Sequence, residues 1–450
     1  MKMLTISLLV VAVLIVGTAF AETDVERENV QLKERLDRLE AEVNQLKSTL
    51  AEKPKGPEQA EKPKAPAEVE KPAMRAKYPV ELYGFFKTDA AYMTARTNDA
   101  GNYARWVESE ETNKDDDQFS LTARESRFGL MFQGPGLESM KTSGRVEVDF
   151  YEGGAENKAR PMMRHAYLQL DWPKSGWSVL AGQTSDTNSP LVPDSLNYTV
   201  GWWVGNIGYR RPQIRVAKSC DIGKGFQVLS QVAIARTIGR NGPFNGVTSD
   251  SVTGSDTGKD SGFPTVQARY AVTFPLFAGK KSTFGVSGHY GQEEYDKDNT
   301  GNNTHFTSWS AGADILIPIA DWLTFKGEFW TGEDLDQYLG GVGQGVVIET
   351  TDEGTYIRDW SVASMGGWGN LVLGPWNRWR FSVGYSVDNP DDDDVLTKGR
   401  KWNNAYWGQT SYDINEAVRL GVELSWWETE YRDSADGDGL RCQTSFIYRF

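Results

Sequence analysis

Arg127, Arg145, Arg211, Arg215, Arg269 and Arg380 share one setting: each lies in a run where apolar and polar residues alternate. In QARYAVTF (267–274), Ala268, Tyr270, Val272 and Phe274 take one face, while Gln267, Arg269, Ala271 and Thr273 take the other. Successive side chains of a strand point to opposite faces, so these arginines stand among small and polar groups. A guanidinium is a planar fork of donors that meets a carboxylate bidentately, and rings of such groups in a pore favour anions. The chemistry on offer is therefore anion attraction, including the two ends of a dicarboxylate. The plainer reading is ion pairing within the same wall, with Glu125, Glu147, Asp149 and Glu423 as partners.

Other chemistries find little support. His165, His289 and His305 are the only histidines, and none has a zinc-ligand spacing. His165 falls on the face of Tyr167 and Gln169. Cys220, placed in a short turn, and Cys442 are too far apart in the expected topology to bridge. No residue is assigned to catalysis, to a metal or to a cofactor, so the chain reads as a non-enzyme. The acidic runs ESEETNKDDD (108–117) and DNPDDDD (388–394) read as solvated loop tips. A sharper reading lets them share calcium or magnesium with lipopolysaccharide phosphates, although no fixed spacing supports a dedicated site. A formal net charge of −14 argues against a nucleic-acid partner.

The elements that hold the arginines come next. WRFSVGYSV (379–387) and VRLGVELSW (418–426) repeat the period of two. Short connections such as WPKSGW (172–177) and GPWN (374–377) alternate with long polar ones such as 238–261 and 334–355. Strands are expected near 80–93, 119–132, 143–152, 161–171, 177–183, 209–219, 225–237, 263–274, 282–293, 305–317, 322–333, 356–373, 378–388, 402–413, 417–431 and 440–450. Sixteen is an even number, as a bacterial membrane barrel requires. Trp172, Trp177, Trp322, Trp376 and Trp379 lie beside short turns, where an aromatic girdle belongs. A sheet in lipid leaves no edge, so the last strand, ending on Phe450, must close on the first. An arginine on the lipid face would cost about 2–4 kcal/mol at the midplane, which sends Arg269 and Arg380 inward. A soluble sandwich fits the export signal and the turn asymmetry less well. The fold class is thus an all-β, sixteen-stranded antiparallel outer-membrane barrel.

A barrel this wide holds an aqueous channel unless something narrows it. The candidate is the loop TSDTNSPLVPDSLNYTVGWWVGNIG (184–208). Pro190 and Pro193 stiffen it, and Asp186 and Asp194 offer it a negative face.

Upstream, residues 1–21 read as a cleaved secretory signal: Lys2, the apolar LLVVAVLIV, then Ala19-Phe20-Ala21. Residues 22–52 carry a heptad seam through Val25, Asn29, Leu32, Leu36, Leu39, Val43, Leu46 and Leu50, with g-to-e pairs of opposite sign. That predicts a parallel homo-oligomeric coiled coil, its helix count left open. Residues 53–77, rich in Pro, Lys, Glu and Ala, read as an extended spacer. The barrel occupies 78–450.

VELYGFFKTDAAY, SRFGLMF, GRVEVDFYEGG, MRHAYLQL, AGQTSDTNSPLVPDSLNY and GYRRPQIRV resemble successive blocks of the DcaP-like porins. The likeness covers the first half of the barrel by motif and the second half by architecture. It implies a homotrimer of sixteen-stranded porins whose N-terminal helices meet in the periplasm, and passive uptake of small anions such as dicarboxylates. Partners would be outer-membrane lipid, lipopolysaccharide and the diffusing solutes. The competing expectation is a structural one: a barrel anchor whose coiled coil tethers the membrane to peptidoglycan.

Overall fold

The computed structural model describes residues 41, 77–98, 102–112, 116–151, 158–238, 261–296, 303–350 and 356–450. Apart from residues 41 and 77, the expected signal, coiled coil and spacer lie outside the described residues.

Chain order gives β1 (Val80–Met93), β2 (Gln118–Thr122), β3 (Arg127–Gln133), β4 (Lys141–Asp149), β5 (Met162–Trp172), β6 (Trp177–Ser185), β7 (Arg210–Gly223), β8 (Phe226–Ala235), β9 (Thr265–Pro275) and β10 (Lys281–Asp296). It continues with β11 (Asn303–Ala320), β12 (Leu323–Glu333), β13 (Val346–Thr350), β14 (Tyr356–Ser361), β15 (Ala363–Trp376), β16 (Trp379–Pro390), β17 (Arg400–Asp413), β18 (Val418–Tyr431) and β19 (Gly437–Arg449). Each wall strand pairs antiparallel with its neighbour in sequence. β1 closes the circle on β19, from Phe85 opposite Arg449 to Met93 opposite Arg441. Its other edge pairs with both β2 and β3, which are two halves of one stave. The wall therefore has sixteen staves and no free edge, which satisfies every ladder without water.

Two expected strands are corrected. The strand near 119–132 breaks at residues 123–126, where Ser126 Oγ accepts the Lys87 amide at 3.0 Å. The strand near 356–373 is two elements: β14 forms a hairpin with β13, and only β15 belongs to the wall. The chain changes course between them, where the Val362 amide donates to Gly345 O at 2.7 Å. Cys220 lies within β7 and not in a turn, and both cysteines are free.

The faces sort by chemistry. Leu82, Phe86, Ile214, Val232, Ile234, Phe329, Leu424 and Phe446 are exposed on the outside, though they are large and apolar. Residues one step away, such as Lys87, Asp89, Gln267, Arg269, Ser382, Glu423 and Gln443, are buried within. An apolar outside around a polar inside is the pattern of a barrel solvated by hydrocarbon. Trp177, Trp322, Trp376 and Trp379 are each about half exposed beside the short turns, with Trp322 and Trp376 in ring contact at 5.8 Å.

Candidate pore constriction

Residues 187–198 run along the inside of the wall and touch its staves in order. The Thr187 amide donates to Gln267 on β9 at 3.0 Å. Asn188 O accepts from Ser287 on β10 at 3.0 Å, and its amide group reaches Ser310 on β11 at 3.4 Å. The Leu191 amide donates to Glu328 on β12 at 2.8 Å. Asp194 takes three staves: its amide donates to Asn370 on β15, and its carbonyl accepts from Ser382 on β16 and Trp407 on β17, each at 2.9 Å. The Leu196 amide donates to Glu423 on β18 at 2.6 Å, and Leu196 O accepts from Gln443 on β19 at 2.7 Å and Lys87 on β1 at 2.9 Å. Tyr198 then donates to Asp149 on β4. Burial pushes the Tyr198 phenol up, so it remains a donor.

Length explains why this loop can follow the wall. Ten extended residues span about 35 Å. Ten staves at about 4.8 Å spacing cover about 43 Å of wall. An arc inside the wall is shorter than the wall, so the two match. Pro190 and Pro193 have no N–H to leave unpaired along this path.

Residues 199–209 turn back and pack beneath two other inward segments. Val204 lies with Met93, Ala104, Val107, Ala405 and Trp427 in one buried cluster. The Trp203 amide donates to Leu339 O and the Gly208 amide to Tyr338 O, both at 2.7 Å. Gly205 has φ +120 and passes so close to the wall that a Cβ would lie 2.7 Å from Val387 N and O. That position demands glycine.

The expected site residues fall into three groups. Arg211 and Asp186 pair at 2.8 Å with side chains about 1% exposed; Asp186 also accepts from the Tyr209 amide and Gln267, and Arg211 stacks on Tyr338. Asp186 therefore gives the loop no negative face toward the lumen, and the expectation that it would is corrected. Arg269 is likewise held by Asp314, at 2.7 and 3.0 Å. Asp194 pairs with Lys326 at 2.8 Å and stays 43% exposed. Arg380 lies at the short-turn end, sharing Asp413 with Arg419 and Arg449.

The remaining three stand in one sector of wall. Arg127 and Arg145 approach Glu147, Arg127 at 3.6 Å. Arg215 bonds Gln213 at 3.0 and 2.8 Å and Ser185 O, with no carboxylate in ion-pair reach among the described residues.

Sequence reasoning missed three cations here. Arg164 bridges Glu147 and Asp149, both at 2.6 Å. Arg210 stacks on Tyr209 and Trp202, at 4.7 and 5.4 Å from their centroids, and no carboxylate pairs with it among the described residues. Lys87 bonds Glu125 and lies 3.4 Å from Asp89. Six cations thus meet four carboxylates, Asp89, Glu125, Glu147 and Asp149. Between this sector and the loop lies a cavity of about 320 Å³, lined by Arg127, Arg164, Arg210, Glu125, Leu191, Val192 and Trp202 among others. The arrangement can hold a small anion beside stacked guanidinium groups, with polar and apolar loop residues opposite.

No protein-family model matches the chain, and no curated protein matches it in sequence. Among solved structures, the outer membrane channel DcaP of Acinetobacter baumannii shares its fold, with a TM-score of 0.60 and 18% identity over 82% of this chain and 97% of that one. An anion-selective porin from Comamonas acidovorans aligns at TM-score 0.49 and 12% identity, over 83% of this chain and 99% of that one. OmpF of Salmonella typhi aligns at TM-score 0.49 and 13% identity, over 83% and 98%. The fold resemblance expected from the first-half motifs is met by the DcaP channel.

Proposed function

We propose that this chain is a DcaP-like outer-membrane porin, a water-filled channel for passive diffusion of small hydrophilic solutes that favours small anions such as dicarboxylates. The observation that carries the reading is the cavity between residues 189–210 and the wall, with Arg127, Arg164 and Arg210 on it and an excess of cations in that sector. Positive groups in a confined passage raise the local anion concentration. The sixteen-stave wall, its apolar exterior and the fold of the DcaP channel support the membrane and the channel. The heptads of residues 22–52 support a parallel homo-oligomer gathered in the periplasm, the motif resemblance to DcaP-like porins supports a count of three, and the start of the sequence supports export.

Purified protein in a planar bilayer tests this. Conductance should rise in triplet steps, and the reversal potential under a KCl gradient should carry the sign of anion preference. Arg210→Ala and Arg215→Ala should each move that potential toward cations. A potential unmoved by both variants would retire the anion site.

One observation favours a second reading. Inward segments meet one another, Val204 packing with Val107 in a buried cluster and the Trp203 amide donating to Leu339 O, as they would in a plugged anchor. A barrel that tethers membrane to peptidoglycan gives no conductance steps, and deleting residues 22–77 would then detach the envelope.

A further inference from the structure

Three carboxylates meet at the long-loop end of the wall, away from the cavity. Glu293 comes from the end of β10, Asp334 from the residue after β12, and Asp336 from the first of two 3-10 turns that follow. One oxygen from each lies within 4.8 Å of the others, and all three side chains are buried. Acidic clusters alone say little, so Asp334 decides the matter. It is 0% exposed, and neither of its carboxylate oxygens has a hydrogen-bond partner. Its backbone is fixed by other means: the amide donates to Val362 O at 3.1 Å, and the carbonyl accepts from Ser308 Oγ at 2.7 Å. The carboxylate is thus held in place for something other than a protein donor. Arg211, a cation of the neighbouring wall, is already committed to Asp186.

The floor of this cluster is bare backbone. A Cβ on Gly345 would lie 2.5 Å from Asp334 Oδ1 and closer still to Asp336 Oδ1. The two oxygens converge over a glycine that leaves them room. Burying such a charge unpaired costs several kcal/mol. Burial and the charges of Asp336 and Glu333 push the Asp334 carboxyl well above the usual range when nothing neutralises it.

We infer that Glu293, Asp334 and Asp336 bind a divalent cation, and that the cation is calcium. Oxygen-only ligands exclude zinc's preferred donors. Irregularly placed carboxylates, from a strand end, the residue after a strand and a 3-10 turn, suit calcium, whereas magnesium demands a near-octahedral shell. The ion would brace residues 334–345, the segment whose Leu339 and Tyr338 carbonyls hold Trp203 and Gly208 of the constriction loop. It is a support for the narrowing, separate from the arginine sector.

The test uses full-length protein in detergent, stripped with EGTA and titrated with CaCl2, MgCl2 or TbCl3. Trp330 packs near this loop and supplies sensitisation for terbium luminescence. Calcium should raise the Tm by several degrees, half-saturating on the order of 0.1–1 mM, and should displace terbium; magnesium at equal concentration should do neither. Asp334→Asn and Glu293→Gln should lose both responses. Asp334→Asn removes a buried charge that no protein donor meets, so in EGTA it should melt no lower than the parent, which shows that it folds. The inference is overturned if Asp334→Asn keeps the parent's calcium response, for the ion then sits elsewhere, for instance on the acidic runs at 108–117 or 388–394. It is equally overturned if the parent ignores calcium and is stabilised only by acid, which is the signature of protons shared among the carboxyls.

Discussion

Leu196 is seated on Glu423: its amide donates to one carboxylate oxygen at 2.6 Å while Ser195 Oγ donates to the other at 3.1 Å. One wall glutamate therefore fixes two consecutive residues of the constriction loop. Glu423→Ala leaves both donors buried without an acceptor, at a cost of about 1–3 kcal/mol. A lower Tm and noisier open-channel current are expected. Current as quiet as the parent's would show that the other latches hold the loop alone.

Gly205→Ala tests the close passage on the far limb of the same loop. The new methyl meets Val387 backbone at 2.7 Å and a φ of +120 that alanine avoids. Strain of about 1–3 kcal/mol is expected, relieved by moving residues 203–207 off the wall. Single-channel conductance should change while the barrel's β signal in circular dichroism stays the same.

Arg164 and Arg210 line the same cavity but should fail differently. Arg164→Met strands Asp149, while Glu147 keeps Arg127 and Arg145, and should cost about 3–5 kcal/mol, as breaking a buried pair does. Arg210→Met strands no carboxylate, so its Tm should lie near the parent's while its reversal potential moves toward cations. Melting curves and bilayer recordings on the two variants separate a support from a selector.

Phe450 packs at 5.2 Å from Phe86 and 6.0 Å from Phe128, across the seam where the circle closes. Each such aromatic pair contributes about 0.5–1.5 kcal/mol. Phe450→Ala should lower the temperature at which unheated protein loses its compact mobility on a gel. No change would assign closure to the β1–β19 backbone ladder and the Gly84–Phe450 bonds alone.

Much of the wall was legible because period two reports which way a side chain points. The faces expected for QARYAVTF, WRFSVGYSV and VRLGVELSW are those found. The pattern fails where the period slips. The β4–β5 register shifts between Glu147 and Val148, so Arg164 and His165 both serve the interior, and strict alternation would have sent Arg164 to lipid. Arg210 follows Gly208 at φ +97, where parity carries no information. Partners are harder to read than directions. Nothing in the spacing of Arg211 and Asp186 says that they will cancel, because the loop between them folds back through space. The inward course of residues 184–208 was suggested by two prolines and several glycines. The matching descent of residues 334–345 left no comparable trace.

The order in which the collar of residues 187–198 meets its staves has a bearing on biogenesis. Its seats lie on wall strands from β9 to β19, all later in the chain, and on β1 and β4, both earlier. The full ring of seats is complete only once the first and last ribbons have joined. The nascent tube is consequently wide, and the aperture takes its working bore only as a final act of maturation.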